Sequence, residues 1–367
     1  MSSRTDRVLQ AEEIGTRLLE TAQSTHRVNR ALLRSIAGEG LFDTLFATEG
    51  ATAVDLCATR QGLARTNTAA ETAFALQGLG GTPIRAAGTP SVRERWVPTM
   101  ATGEAVAGFA LTEPGAGSDA AAVTTRAEPD GDGYRITGTK AYISNAPEAD
   151  VYTVFATTNP EAGSRGISAF AVPAESEGLS GEAIEMVSPH PIGRLTFEEV
   201  FVPPDNLLGE VNRGFRVAMQ TLDLFRPSVG AFALGMAEAA LREAVAHATT
   251  RTAFGKPVGE FQGVSHQLAD VRTAIAASEH LVYAAAEAFD RGDNDSLTGL
   301  AAMAKLHATE TAQKAVDVAI QVLGARGLEK GSLLAHLYLE VRAPRIYEGT
   351  SEIQRNIIAR ELFGGRI

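Results

Sequence analysis

The apolar residues change their period twice along the chain, and that double change limits the folds open to it. From Arg4 to about Gly103 they recur at three- and four-residue spacing, as in Val8-Leu9, Ile14, Leu18-Leu19, Leu32-Leu33 and Ile36. That is the repeat of helices with one buried face. Gly38, Gly40, Gly62, Gly78 and Pro90 are expected to divide the stretch into several helices. After Ala105 the apolar runs become short, alternating and β-branched, at 123–125, 134–136, 151–155, 169–172 and 197–202. Glycine and proline turns separate them, which predicts a compact all-β unit of about a hundred residues. From Val211 onward, alanine-rich amphipathic segments near 213–250, 259–291, 296–326 and 351–364 bring helix back. The expected fold is mainly α with a central β domain, in three segments spanning 1–104, 105–210 and 211–367. With no repeat period and no low-complexity linker, these read as interdependent units rather than free modules.

A chain of 367 residues, 44% hydrophobic, can bury a sizeable core. Its 33 basic and 44 acidic side chains give a net charge of −11 without a basic stripe, which argues against nucleic acid as a partner. Cys57, the single cysteine, excludes an intrachain disulfide and suits a reducing compartment. MSSRTDRVLQAEEIG has no apolar core and no stretch approaches a spanning helix. The expectation is a cytoplasmic protein without a membrane partner. His26, His190, His247, His266, His280, His307 and His336 lack metal-ligand spacing, so no metal is expected. Gly78-Leu79-Gly80 meets Pro83 where a dinucleotide fingerprint needs its third glycine, and no GxxxxGK[ST], GxSxG or HExxH occurs.

Four clusters remain. In Phe109-Ala110-Leu111-Thr112-Glu113-Pro114-Gly115-Ala116-Gly117-Ser118-Asp119, glycines and oxygen side chains after a short strand expose groups able to hold a phosphate or a heterocycle edge. Taken alone, an ordinary loop held by local side-chain bonds is the better account. In Gly138–Asn145, Tyr142 and Ser144 are two residues apart and so on one strand face, where both can address one ligand. Sheet packing is the plainer account of such a tyrosine. Arg251-Thr252-Ala253-Phe254-Gly255-Lys256-Pro257, followed by Phe261-Gln262, breaks two long helices with an arginine suited to bidentate phosphate contact, or is simply a charged helix end. In Ile346-Tyr347-Glu348-Gly349-Thr350-Ser351-Glu352-Ile353-Gln354-Arg355, Glu348 precedes a glycine and a Thr/Ser helix start. A carboxylate there can project into a cleft, though an isolated loop glutamate is the blander reading.

Together, in this order and frame, the clusters resemble the acyl-CoA dehydrogenase family of flavoproteins, from about Ala11 to Arg360, with FALTEPGAGSD and IYEGTSEIQR matching its two signature regions. The resemblance implies an N-terminal helical domain, a middle β-barrel-like domain and a C-terminal four-helix bundle. It implies FAD held by Leu111, Thr112, Gly117 and Ser118, with Tyr142 and Ser144 beside the isoalloxazine ring. Arg251, Phe254 and Gln262 match residues at the pyrophosphate and adenine half. Gln321, Val322, Leu323, Gly324 and Ala325 match a loop that reaches FAD from a neighbouring subunit, and Thr350 and Glu352 match further FAD contacts. A site shared in this way implies a homodimer at least, with a homotetramer usual. Asp223, Arg226, Gly349 and Arg360 match residues near the substrate. Glu348 matches the catalytic base, which removes the weakly acidic α-proton of a thioester while a hydride passes from the β-carbon to flavin N5. Some branches place the base on a long helix, at the position of Phe225 here, which cannot accept a proton.

The sequence departs from the family pattern at three places. Tyr142 stands where tryptophan is common. Ser188-Pro189-His190-Pro191-Ile192-Gly193-Arg194 replaces a Gly-x-Arg-Gly-Ser-x-Thr run, and Arg291–Asp295 offers no clear match to an arginine used near CoA by some members. The Ser188-Pro189-His190-Pro191 stretch and the slightly short length resemble a bacterial branch associated with secondary metabolism, some members of which act on thioesters of an acyl-carrier protein. The implied activity is therefore α,β-dehydrogenation of an acyl-CoA or carrier-bound acyl group, with electrons passed to a flavoprotein or to oxygen. Altered oxidation of hydroxyacyl groups, nitroalkanes or amines on the same fold is the alternative, and a non-catalytic binding member is disfavoured by the intact Glu348.

Overall fold

The computed structural model describes residues 3–22, 26–47 and 52–364. Six helices come first: α1 (Arg4–Arg17), α2 (Arg30–Gly38), α3 (Asp43–Phe46), α4 (Ala53–Ala64), α5 (Thr68–Ala87) and α6 (Pro90–Ala101). Seven strands follow: β1 (Ala107–Ala110), β2 (Arg126–Asp130), β3 (Gly133–Ser144), β4 (Val151–Thr157), β5 (Ile167–Pro173), β6 (Leu179–Ala183) and β7 (Ile192–Val202). The chain ends in α7 (Gly214–Thr250), a short hairpin of β8 (Thr252–Ala253) and β9 (Lys256–Pro257), α8 (Gln262–Asp290), α9 (Asn294–Leu323), α10 (Leu333–Glu340) and α11 (Ser351–Leu362). Helix starts carry the side chains that satisfy free backbone donors. Asn29, Thr52, Thr89, Asp293, Ser332 and Thr350 each accept from a backbone N–H in the first turn of their helix.

By contact the chain forms two compact units, one of residues 1–17, 52–71 and 223–367, the other of 18–51 and 72–222. In the second unit the strands run in the order β1-β4-β2-β3-β7-β6, with β5 also on β4. β1 lies parallel to β4, whereas the β2–β3, β3–β7, β6–β7 and β4–β5 pairs are antiparallel. All seven residues of β4 are buried, which is why VYTVFAT reads as a nearly continuous apolar run. Phe42 stacks on Phe74 at 6.1 Å, and Phe109 meets Phe155 at 5.0 Å. In the first unit α7, α8 and α9 pack closely at Gly230, where an added Cβ would lie 2.8 Å from Val282 and 3.3 Å from the Ala304 carbonyl.

The structure corrects several expectations. Gly62 and Gly78 do not separate helices but lie inside α4 and α5. A Cβ on Gly62 would stand 2.3 Å from the Val8 carbonyl, so the glycine is there for the crossing of α1. Residues 123–125 are not a strand, because the Thr124 and Thr125 amides bond the Glu113 carboxylate and β2 starts only at Arg126. Leu333–Glu340 forms a helix that the apolar pattern does not announce, capped by Ser332. Among the described residues no helix is long and apolar enough to cross a membrane.

Candidate active site

Glu348 sits in the first unit at the end of the loop before α11, in a left-handed conformation with φ +53°, and Gly349 follows at φ +92°. A non-glycine residue in that region is held there by its surroundings. The residue is half-buried, but its Oε2 is sealed from solvent and has no hydrogen-bond partner. Burial pushes the carboxyl above the usual carboxylate range, while the positive charges of Arg60, Arg226 and Lys305 act in the opposite sense. A desolvated carboxylate with a free oxygen and three nearby cations is poised to accept a proton.

Its surroundings come from four helices, α4, α7, α9 and α11. Lys305 on α9 donates to the Gly349 carbonyl at 2.6 Å, and Gln354 on α11 donates to the same oxygen at 2.9 Å and to the Glu348 carbonyl at 3.2 Å. Arg60, on α4, is buried and pairs with buried Glu71 through Nε, while Nη1 donates to Ser228 Oγ at 2.7 Å. Arg226 lies 3.3 Å from Asp223, its Nε buried without a partner. Burial raises the Asp223 carboxyl, against Arg226. Arg226, matched to the substrate region in sequence, thus stands within electrostatic reach of Glu348. Arg360 is exposed in the last turn of α11. Thr350 caps α11 by accepting from the Ile353 amide at 3.3 Å, and Glu352 is exposed.

Farther along the same unit, Arg251, Gln321, Val322, Leu323 and Gly324 line one cavity of about 360 Å³, together with His247, Val258, Val264 and Gln267. Arg251 and the end of α9, Gln321–Leu323 with Gly324, therefore belong to one surface of one chain, the matched residues being helical and not a loop. A molecule held in this cavity meets both from the same protomer, whereas the family resemblance sets only Gln321–Ala325 on a neighbouring subunit. Phe254, Gln262 and Ala325 are outside the cavity lining. Phe254 is 96% exposed at φ +52°, an aromatic ring held in solvent by a strained turn. Gly324, at φ +61°, ends α9 in the manner favoured by glycine.

In the second unit, Leu111 and Thr112 lead into the glycine turn. A Cβ added at Gly115 or Gly117 would meet nothing within 4 Å, and neither residue has a positive φ, so nothing in the chain itself demands glycine there. Exposed, side-chain-free backbone of this kind lets a flat or phosphorylated ligand come close. Gly117 and Ser118 are exposed. Beneath the turn, Lys140 donates to the Leu111 carbonyl at 3.0 Å and to Glu113 Oε1 at 2.8 Å. Both charged groups are buried. Tyr142 and Ser144 do not share a strand face, contrary to their spacing. A bulge between Lys140 and Ile143 inserts one residue into β3, breaks the alternation and puts Tyr142 at φ +57°. Tyr142 is 59% exposed and Ser144 only 9%.

Each unit carries residues that fit part of a flavin dinucleotide. The second offers an open glycine turn and an outward aromatic at a bulge, and the first an arginine-bearing cavity. Lys305, Arg60, Gln354 and Lys140 stand in none of the roles expected from sequence. Lys305 does carry a signal, since it falls on the stripe of Ala301, Ala304, Ala308 and Ala312, where a charge is out of place.

Three family models match the chain: the acyl-CoA dehydrogenase N-terminal domain over residues 4–104, the middle domain over 108–200 and the C-terminal domain over 212–363. The mitochondrial short-chain specific acyl-CoA dehydrogenase of Bos taurus is 42% identical over 283 residues, 76% of this chain and 68% of that one. The caffeyl-CoA reductase-Etf complex subunit CarC of Acetobacterium woodii is 39% identical over 288 residues, 77% and 74% of the two chains. Among solved structures, butyryl-CoA dehydrogenase from Megasphaera elsdenii superposes with a TM-score of 0.92 at 31% identity, covering 99% of each chain. PigA with FAD and proline gives 0.91 at 26% identity, covering 100% of this chain and 99% of that one.

Proposed function

Because the chain belongs to the acyl-CoA dehydrogenase family, FAD-dependent oxidoreductases acting on CH–CH bonds, we propose that Glu348 removes the α-proton of an acyl thioester, with acyl-CoA the first candidate. The single observation that carries this reading is the buried, unpartnered Glu348 Oε2 on a turn held from α9 and α11. Burial makes the carboxylate a stronger base than one in water. The positive charges of Arg60, Arg226 and Lys305 act against that shift and favour the ionised form. Proton transfer to Oε2 leaves a neutral acid, which the dry setting favours over the charge it replaces. Bound FAD supplies the acceptor for the hydride that leaves the β-carbon.

Leu111, Thr112, Gly117, Ser118, Tyr142 and Ser144 would hold the flavin on one side, the exposed Tyr142 offering a stacking face. Arg251 and Gln321–Ala325 would hold the phosphates and adenine, with Phe254, Gln262, Thr350 and Glu352 adding to them. A homodimer or homotetramer belongs to this reading because the family resemblance has Gln321–Ala325 reach the FAD of a neighbouring subunit, and Arg251, which shares a cavity with 321–324, would go with them. The division into segments 1–104, 105–210 and 211–367, the cytoplasmic location and an electron-transferring flavoprotein as acceptor belong to the same reading, the last supported by the Etf-complex relative. Asp223, Arg226 and Gly349 would face the thioester end of the substrate, and Arg360 a more distant part.

A second reading, altered oxidation of a hydroxyacyl group, a nitroalkane or an amine, is favoured in its amine form by the likeness to PigA with FAD and proline. Anaerobic flavin bleaching separates the two. Saturated acyl-CoA thioesters should bleach the flavin rapidly, and Glu348→Gln should retain the oxidised spectrum while losing most of that bleaching. Bleaching only by carrier-protein thioesters moves the substrate to a carrier, and full-rate bleaching in Glu348→Gln removes Glu348 from the role of base.

A further inference from the structure

We propose that Lys305 is a positioning residue for the base: from the middle of α9 its ammonium group pins the Gly349 carbonyl and supplies positive charge opposite Glu348. This inference rests on Glu348 acting as described above. Lys305 has no exposed surface, and its Nζ makes one hydrogen bond, to the Gly349 carbonyl at 2.6 Å. Among the described residues it forms no salt bridge, so its charge is not neutralised by a contacting carboxylate. A buried ammonium without such a partner is expensive, and buried alanines at 301, 304, 308 and 312 surround it on its stripe. Packing alone would be served by alanine or methionine. The carboxylate that most favours the charged form of Lys305 is Glu348.

The bond also falls where the backbone needs it. Glu348 and Gly349 are both left-handed, and strained turns persist only when several contacts agree on them. The Gly349 carbonyl receives Lys305 from one helix and Gln354 from another. Glu310, five residues along α9, accepts from Ser351 Oγ at 2.7 Å and pairs with Arg345 at 2.8 Å. One helix thereby holds the turn on both flanks of the base. Glu348 is faced by the charges of Arg60, Arg226 and Lys305, and Lys305 by those of Glu348, Arg226, Glu310 and Glu352. Removing the Lys305 charge leaves Glu348 easier to protonate, and activity that needs the ionised base is then lost at higher pH.

The test compares the flavin-loaded wild type with Lys305→Met, uncharged and similar in length, and Lys305→Arg, which keeps the charge. Two quantities are followed against pH: the limiting rate of anaerobic bleaching by a saturated acyl-CoA, and ionisation of the Glu348 carboxyl by infrared difference against Glu348→Gln, which needs no turnover. In Lys305→Met the bleaching rate should fall by about tenfold, with half-saturation little changed, as for loss of orientation rather than binding. Its acid limb and the infrared midpoint should both rise by about one pH unit. Lys305→Arg should return the midpoint toward wild type. A folded, yellow Lys305→Met with unmoved midpoint and acid limb overturns the proposal. Should that variant not fold, Lys305→Gln carries the same readouts, and failure of both to fold makes Lys305 structural and overturns it equally. Full bleaching by Glu348→Gln overturns the base assignment instead, leaving the infrared midpoint to judge whether Lys305 sets the ionisation of Glu348.

Discussion

Replacing Lys140 by methionine isolates one charge under the glycine turn. In the native chain the Glu113 carboxylate accepts from Lys140, from both the amide and the hydroxyl of Thr124, and from the Thr125 amide. Burial works against the carboxylate, but Lys140 and the three threonine donors outweigh it and hold the group down to about 2. A folded value below the ordinary 4.5 adds stability that is complete above 4.5 and is lost as pH falls through 2, worth about 3 kcal/mol at neutral pH. Lys140 runs the other way. Burial pulls it down to about 8 despite the attraction of Glu113, so the cost of burying the ammonium stands against what the pair gains. Breaking the pair is not neutral, because Glu113 stays buried without its cation. Lys140→Met should therefore lower stability by about 3–5 kcal/mol, whereas Lys140→Met with Glu113→Gln should recover most of the loss. Urea unfolding followed by Trp96 fluorescence measures this, since the single tryptophan is 7% exposed in the same compact unit. The Leu111 carbonyl also loses a donor, so Lys140→Met should release flavin sooner than wild type. A Lys140→Met unfolding free energy within about 1 kcal/mol of wild type, or a double variant no more stable than the single one, would refute the reasoning.

Arg60→Met takes the guanidinium away from buried Glu71 and should cost about 3–5 kcal/mol in chemical denaturation followed by circular dichroism, with Glu71→Gln restoring part of it. Gly349→Ala places a Cβ 2.6 Å from Gln354 Nε2 at φ +92°, so stopped-flow bleaching should slow by about tenfold or more while flavin binding persists; an unchanged rate would mean the turn does not aim Glu348. Gly62→Ala drives a Cβ into the Val8 carbonyl at 2.3 Å and should lower the thermal midpoint by several degrees, read by scanning calorimetry.

The long helices of the C-terminal part are legible in the sequence because their apolar stripes repeat over many turns, and the expected ends fall within a few residues of 214–250, 262–290, 294–323 and 351–362. The eight-residue α10 escapes notice because so short a helix has no repeated stripe. Strand β4 is legible because both faces are covered and every residue is apolar or small. Residues 123–125 mislead because β-branched residues favour a strand, whereas here two of their amides serve a carboxylate about ten positions upstream.

Linear order and local chemistry determined much by themselves: the helical, β, helical frame, the glycine turn at 115–117, the Thr350 cap and a glutamate placed just before it. These depend on period and on neighbours a few residues away, so they are written in consecutive letters. Only the tertiary structure decided which charges meet. Lys305 and Gly349 are 44 residues apart, Lys140 and Glu113 are 27 apart, and Arg60 reaches Ser228 across 168. It also decided that the bulge in β3 turns Tyr142 outward while Ser144 stays nearly buried, against the alternation the letters suggest. Burial and charge act through space, and the strength of a base follows from which groups the fold brings to it, not from the residues beside it in the chain.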